Sequence, residues 1–221
     1  FVYYAQEARM YSLLTALGTL SSYALLRLFE RPWERRWWIG YVATTAGVLY
    51  THYFGGLLLV GQNVLWLLWV LWGVCDDNRV GWKRRLLAWG AAQIAVGGVY
   101  LAWVPTLIQQ ARIGQGTWWR MPLPAKVIAR DIWRFFVLGP RRPAGVPPFG
   151  PWLGPVALAG LVALLLGWRR RLGSWVYTLV GLIVPVGAMV LIGSVWPIYT
   201  DRYTLVAAPS LALVVGWGVS V

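Results

Sequence analysis

Glu7 and Arg9 stand near the start of a run, FVYYAQEARMY, whose continuation is almost wholly apolar to about Phe29. A carboxylate or guanidinium carried to the centre of a bilayer costs about 2.5–3.5 kcal/mol, so such groups belong at a wet end or against a polar cavity. On a helix Tyr3, Glu7 and Tyr11 recur every four residues and share one face, while Arg9 lies roughly 200° around the axis from Glu7. Two phenols then flank one carboxylate. A carboxylate so placed can orient or deprotonate a hydroxyl, and a guanidinium can hold phosphate oxygens in its planar fork. The bland alternative is an interfacial belt, with the tyrosines at headgroup depth and the charges merely solvated there.

Two more clusters of polar residues recur far along the chain. His52 and Tyr53 sit in Thr51-His52-Tyr53-Phe54-Gly55-Gly56, and Asp201, Arg202 and Tyr203 close the corner that begins at Pro197. Each has its own bland reading: a lone histidine as an interfacial hydrogen-bonder, and Asp201 with Arg202 as a surface ion pair worth under about 1 kcal/mol. Gathered on one side of a membrane, Arg9, Arg202 and a basic loop would suit a phosphorylated lipid whose tail stays in the bilayer. The many Trp and Tyr residues could stack on a sugar, but for most of them interface marking is the simpler reading.

The elements that must position these groups are membrane spans. With 59% hydrophobic residues, 12% charged residues and 17 Trp in 221, and a mean hydropathy of +0.59, the chain is read as a polytopic membrane protein. The net charge of +13 would suggest nucleic acid in a soluble protein; beside a bilayer, basic loops answer anionic lipid instead, and no nucleic-acid partner is expected. The lone Cys75 excludes an internal disulfide, and the lone His52 excludes a zinc site built on a histidine pair. The chain opens at Phe1 without Met or a basic leader and stops within an apolar run, so a fragment is expected.

Hydropathy lays out about seven spans of roughly 20 residues each, near 10–29, 37–54, 55–74, 86–108, 151–168, 175–196 and 204–221. The short basic turns at 30–36, 76–85 and 168–174 belong in the cytoplasm, and the corners at 51–56 and 197–203 outside, together with the start of the chain. Parity also places the long loop 109–150 outside, although it carries seven bases and the single acid Asp131; the charge rule is counted mainly on short loops. Within it, Pro124 to Leu138 reads as an amphipathic helix, with Val127, Ile128, Asp131, Ile132 and Phe135 on one face and Lys126, Arg130 and Arg134 recurring every four residues, laid flat on the membrane. Gln93 and Gly97-Gly98 suit close helix packing in the fourth span, and Pro105 a kink near its outer end. The fold expected is all-α, a single transmembrane domain over 1–221.

YYAQEARMYSL at a helix mouth, THYFGG at the next outer corner and DRYTLVAAPSLAL near the end resemble the GT-C superfamily of membrane glycosyltransferases, in its protein mannosyltransferase and aminoarabinose transferase-like branch. The resemblance covers nearly the whole chain. It implies an inverting transferase that moves a sugar from a polyprenyl-phosphate donor to a lipid, glycan or protein acceptor at the outer face of the cytoplasmic membrane, as a multi-pass protein of the cell envelope. In that family an acidic residue in an outer loop upstream of the first motif is the general base, and that loop is absent here. By position Glu7 matches the family's second acidic site, and Arg202 with Tyr203 matches a motif that contacts the donor phosphate.

The mechanism so implied is direct displacement: an acceptor hydroxyl, deprotonated by a carboxylate, attacks the anomeric carbon as the polyprenyl phosphate leaves, and arginines stabilise the departing charge. Glu7 would orient the acceptor or the missing base; Arg9, Tyr11, His52, Tyr53, Asp201, Arg202 and Tyr203 would line the donor site. No cofactor is assigned, and a divalent metal is possible, with Glu7, Asp201 and His52 as the available ligands, without being implied. Two other classes stay open. A lipid-linked-sugar flippase or secondary transporter would place polar groups at mid-span and break helices there, against a pattern in which mid-span charge is scarce. A non-catalytic membrane scaffold would need no convergent site at all.

Overall fold

The computed structural model describes residues 2–75, 81–114, 123–138 and 172–195, together with Ala207 and Ser210; for 2–11, 72–75, 110–111, 113–114, 135–138 and 172–175 the backbone alone is described. Among the described residues all regular structure is helical: α1 (Val2–Glu30), α2 (Arg35–Thr51), α3 (Gly55–Cys75), α4 (Trp82–Leu101), α5 (Val104–Gly114), α6 (Ala125–Leu138) and α7 (Leu172–Val195). The chain divides into two compact units, Phe1–Trp119 and Arg120–Val221. The spans expected at 151–168 and 204–221 lie outside the described residues, apart from Ala207 and Ser210.

In the first unit, short connections force antiparallel neighbours. Pro32 cannot continue α1, because it has no N–H to give the ladder; the chain turns through hydrogen bonds from Arg31 N to Arg27 O (2.8 Å) and from Glu34 N to Arg31 O (3.2 Å). Side-chain pairs fix the register. Ser21 faces Thr45 and Tyr23 faces Trp37, so α1 and α2 are antiparallel. Ser21 meets Gln62 and Phe29 meets Trp69, so α1 and α3 run parallel; Tyr41 meets Trp89 and Tyr50 meets Val99, so α2 and α4 do too. The result is an up-down-up-down bundle with α2 packed against α1, α3 and α4.

The two ends of this bundle differ in chemistry. One gathers Arg27, Arg31, Arg35, Arg36, Lys83, Arg84 and Arg85, and the other gathers the start of α1, the His52–Tyr53 corner and the α4–α5 junction. We refer to them as the arginine end and the histidine end.

The interior is filled by Leu14, Leu25, Leu28, Tyr41, Val48, Trp66 and Val96, all nearly inaccessible. Trp66 and Trp89 stack within it at 4.5 Å, with Trp38 edge-on to both. The outward faces are also apolar. Leu87, Ile94 and Leu101 are 74%, 77% and 65% exposed and recur every seven residues as one stripe along α4. Leu13 and Leu20 repeat the pattern on α1, and Val60, Leu67 and Leu71 on α3.

The fourth segment departs from the expected single kinked span. A helix running through Pro105 would drive the proline ring into the carbonyl of residue i−4, which is Leu101. Accordingly α4 ends at Leu101, the chain turns at Ala102–Trp103 with Trp103 N bonded to Tyr100 O (2.9 Å), and α5 starts with Pro105 in its first turn, where no donor is needed.

In the second unit α6 packs along α7. The amphipathic helix expected in this stretch is present: Ile128 and Ile132 of its apolar stripe are buried in the protein, and Lys126, Arg130 and Arg134 are exposed. Among the described residues two helices, Ser12–Glu30 within α1 and Val176–Val195 within α7, are long and apolar enough to cross a membrane, by length and composition. Pro185 lies inside α7.

Candidate functional site

The histidine end is described best at the α2–α3 corner. His52 takes extended dihedrals that terminate α2, with its N–H still bonded to Val48 O (3.0 Å). Its carbonyl accepts from Gly55 N (2.8 Å), and its ring Nδ1 accepts from the N–H of Phe54 (3.2 Å). One residue thus closes one helix and opens the next. An accepting Nδ1 places the proton of the neutral ring on Nε2. Burial pushes the imidazole below its ordinary range, in keeping with that neutral form.

Tyr53 stacks on His52 at 4.7 Å and is about half exposed, while Phe54 is buried beneath the pair. Gly55 is required here: a Cβ at this position would overlap the Val48 side chain and stand 3.0 Å from the Val48 carbonyl oxygen. Nearby, Tyr50 donates to Val99 O (2.7 Å) and lies against Tyr100 and Trp103, tying the corner to the α4–α5 junction.

Glu7, Arg9 and Tyr11 fall on the first three turns of α1, and the helix is unbroken across them, so Tyr3, Glu7 and Tyr11 do occupy one face. Their side chains are outside the described set. The register of α1 on α2, set where Leu17 meets Gly47, puts the Glu7 backbone roughly 8 Å further out than His52 along the bundle axis, at 1.5 Å per residue. Both therefore belong to the histidine end. Asp201, Arg202 and Tyr203 lie outside the described residues. Among the described residues no three His, Cys, Asp or Glu side chains group as a metal site would need.

A set of polar residues that sequence reading passed over, Gln93 excepted, lies between the two ends. Ser21 Oγ and Thr45 Oγ1 share a hydrogen bond of 2.7 Å, Gln62 Nε2 donates to Ser21 Oγ (2.9 Å), Tyr41 OH donates to Gln62 Oε1 (3.2 Å), and Gln93 Nε2 donates to Tyr41 OH (3.3 Å). The chain of bonds links α1, α2, α3 and α4. Ser21, Thr45, Gln62 and Tyr41 are buried and Gln93 is half-buried, and the network serves as interhelical glue. Trp89 Nε1 adds a further link to Asn63 Oδ1 (2.9 Å), between α4 and α3. The only sequence signal for this network is single uncharged polar residues inside apolar helices, which do not announce their partners.

The chain matches no family model, no curated protein and no solved structure.

Proposed function

We propose that this chain is a membrane portion of an inverting glycosyltransferase that moves a sugar from a polyprenyl-phosphate donor to an acceptor at the outer face of the cytoplasmic membrane, within a polytopic bundle of about seven spans. The observation that carries the proposal is the polarity of the first unit. Arg27, Arg31, Arg35, Arg36, Lys83, Arg84 and Arg85 collect at one end, the candidate catalytic and substrate groups on α1, Arg9 among them, and at the His52–Tyr53 corner collect at the other, and an exposed apolar stripe on α4 runs between the ends. Exposed Leu and Ile at helical spacing suit lipid contact, and the arginine end suits the cytoplasmic face. Those features support the membrane placement; the transferase chemistry rests on the motifs.

In this reading Glu7 orients the acceptor hydroxyl or a general base from a neighbouring outer loop. Arg9 and Arg202 hold the donor phosphate and stabilise it as it leaves, in a mouth where low dielectric strengthens such contacts. Tyr11, Tyr53, Asp201 and Tyr203 shape the sugar site. His52 holds the corner that presents Tyr53 through its Nδ1, which accepts from the Phe54 N–H, and keeps Nε2–H as a donor toward substrate.

A second reading is a non-catalytic scaffold: the buried polar network gives the first unit an interhelical packing role that needs no substrate. Proteoliposomes carrying the whole protein and a polyprenyl-phosphate-linked sugar separate the two. Arg202→Lys keeps charge and loses the bidentate fork, so turnover should fall on the order of 10²-fold, whereas Arg134→Lys, on an exposed face of α6, should change little. Equal small effects at both positions would reduce Arg202 to part of a basic rim.

A further inference from the structure

The arginine end holds more positive charge than its carboxylates absorb. Glu30 is taken up by Arg27 (2.7 Å) and Glu34 by Arg31 and Arg36 (3.0 and 2.6 Å). Arg84 and Arg85 have no carboxylate partner among the described residues. Each is instead laid on an indole: the Arg84 guanidinium lies 4.3 Å from the centre of Trp33, in the α1–α2 turn, and that of Arg85 lies 4.5 Å from the centre of Trp69, near the end of α3. Trp69 is itself held rigid by Phe29 (5.2 Å) and Trp66 (5.0 Å). Stacking fixes each guanidinium plane and leaves its edge N–H groups to bond an oxyanion. Arg85 Nε is buried without a hydrogen-bond partner, so the head of this side chain is already partly desolvated.

Immediately beyond these arginines on α4 begins the exposed stripe of Leu87, Ile94 and Leu101. Ile94 stands roughly 15 Å along the axis from Arg84, at 1.5 Å per residue, which is half the thickness of a hydrocarbon core of about 30 Å. Leu87 and Ile94 follow Arg84 on the same side of α4, whereas Arg85 lies opposite them, on the inward face with Trp89; an anion-binding Arg84 followed by a leaflet's depth of exposed apolar surface matches one kind of occupant.

We propose that Arg84, stacked on Trp33, binds the headgroup phosphate of an acidic phospholipid whose acyl chains lie along Leu87 and Ile94. The inference rests on the membrane placement of the first unit and not on the transferase chemistry. A free phosphate would gain nothing from the stripe, and a zwitterionic lipid would bring a quaternary ammonium to a surface already rich in cations.

The test follows thermal unfolding of the full chain in detergent while phosphatidylglycerol, phosphatidylcholine or inorganic phosphate is added. Phosphatidylglycerol should raise the unfolding midpoint saturably, and the other two should not at equal concentration. Arg84→Gln should weaken the apparent phosphatidylglycerol affinity roughly fivefold, the loss of one basic side chain at about 1 kcal/mol. Arg134→Gln should leave it unchanged. Should Arg84→Gln not fold, Trp33→Leu carries the test, since it keeps every charge, sits at an exposed turn and removes only the platform; it should weaken the affinity severalfold. The site is overturned if phosphatidylcholine or inorganic phosphate reproduces the shift, or if a folded variant responds as the parent does.

Discussion

The phenol of Tyr41 donates to Oε1 of Gln62 across 3.2 Å in the interior of the four-helix unit. Because the same amide donates to Ser21 Oγ, one side chain joins α1, α2 and α3. Gln62→Leu removes two bonds of the network, from Tyr41 OH to Oε1 and from Nε2 to Ser21 Oγ. Interhelical hydrogen bonds between membrane helices average about 0.6 kcal/mol each. The expected loss is on the order of 1 kcal/mol in reversible unfolding from mixed micelles. A variant as stable as the parent would show that the network contributes nothing to the bundle.

Gly55 and Gly56 are neighbours with opposite tolerances. An added Cβ at Gly55 meets the Val48 side chain and carbonyl, whereas at Gly56 it meets nothing within 4 Å. Gly55→Ala should cost about 1–3 kcal/mol, as overpacking does, and Gly56→Ala should cost far less. Combining Gly55→Ala with Val48→Ala should recover only part of the loss, because the Val48 carbonyl remains. The same unfolding assay reads all three, and equal stabilities for the two single variants would contradict the corner geometry.

His52 is the sole histidine, so its ring signals in a proton spectrum are unambiguous. Burial depresses its pKa in the folded protein below the ordinary value of 6.5. A depressed folded pKa means that the neutral ring contributes stability which is fully present above pH 6.5 and is lost as pH falls through the folded value. Protonation also converts Nδ1 from acceptor to donor and breaks its bond from Phe54 N–H. The titration midpoint should therefore lie below 6.5, with the corner's amides shifting in step. A midpoint at or above that value would place the ring in water or beside an anion.

Much of the helical order was legible in the sequence, because apolar runs separated by charged or Pro- and Gly-containing turns leave few alternatives. The corner at Thr51–Gly56 follows from one such run ending and another beginning, and the helix ending at Leu138 from charges spaced four apart. What covers a face was not legible. The pattern that puts Ile128 and Ile132 on one apolar face does not say what covers it, and Pro105 reads as a kink where the structure ends α4 at Leu101. Most of the tryptophans were read as interfacial, and Trp33 and Trp133 are exposed, yet Trp66 and Trp89 form the stacked centre of the core. The Ser21–Thr45–Gln62–Tyr41–Gln93 chain joins residues on four helices, and hydropathy carries no information about such pairing. At the candidate site the shared face of Tyr3, Glu7 and Tyr11 was legible from their spacing, while the structural use of His52 Nδ1 was not.

Glu7 is the residue on which the transferase account turns. It lies on an unbroken stretch of α1 at the histidine end, and Glu7→Gln preserves its size and much of its hydrogen bonding while removing its charge. The measurement is sugar release from a polyprenyl-phosphate-linked donor by the whole protein in proteoliposomes, at saturating donor, for parent and variant. A preorganised charged group acting in the transition state should cost about 10²-fold in turnover when neutralised, with unfolding behaviour unchanged. Turnover equal to that of the parent in a folded Glu7→Gln protein would contradict the placement of the opening motif in the active site.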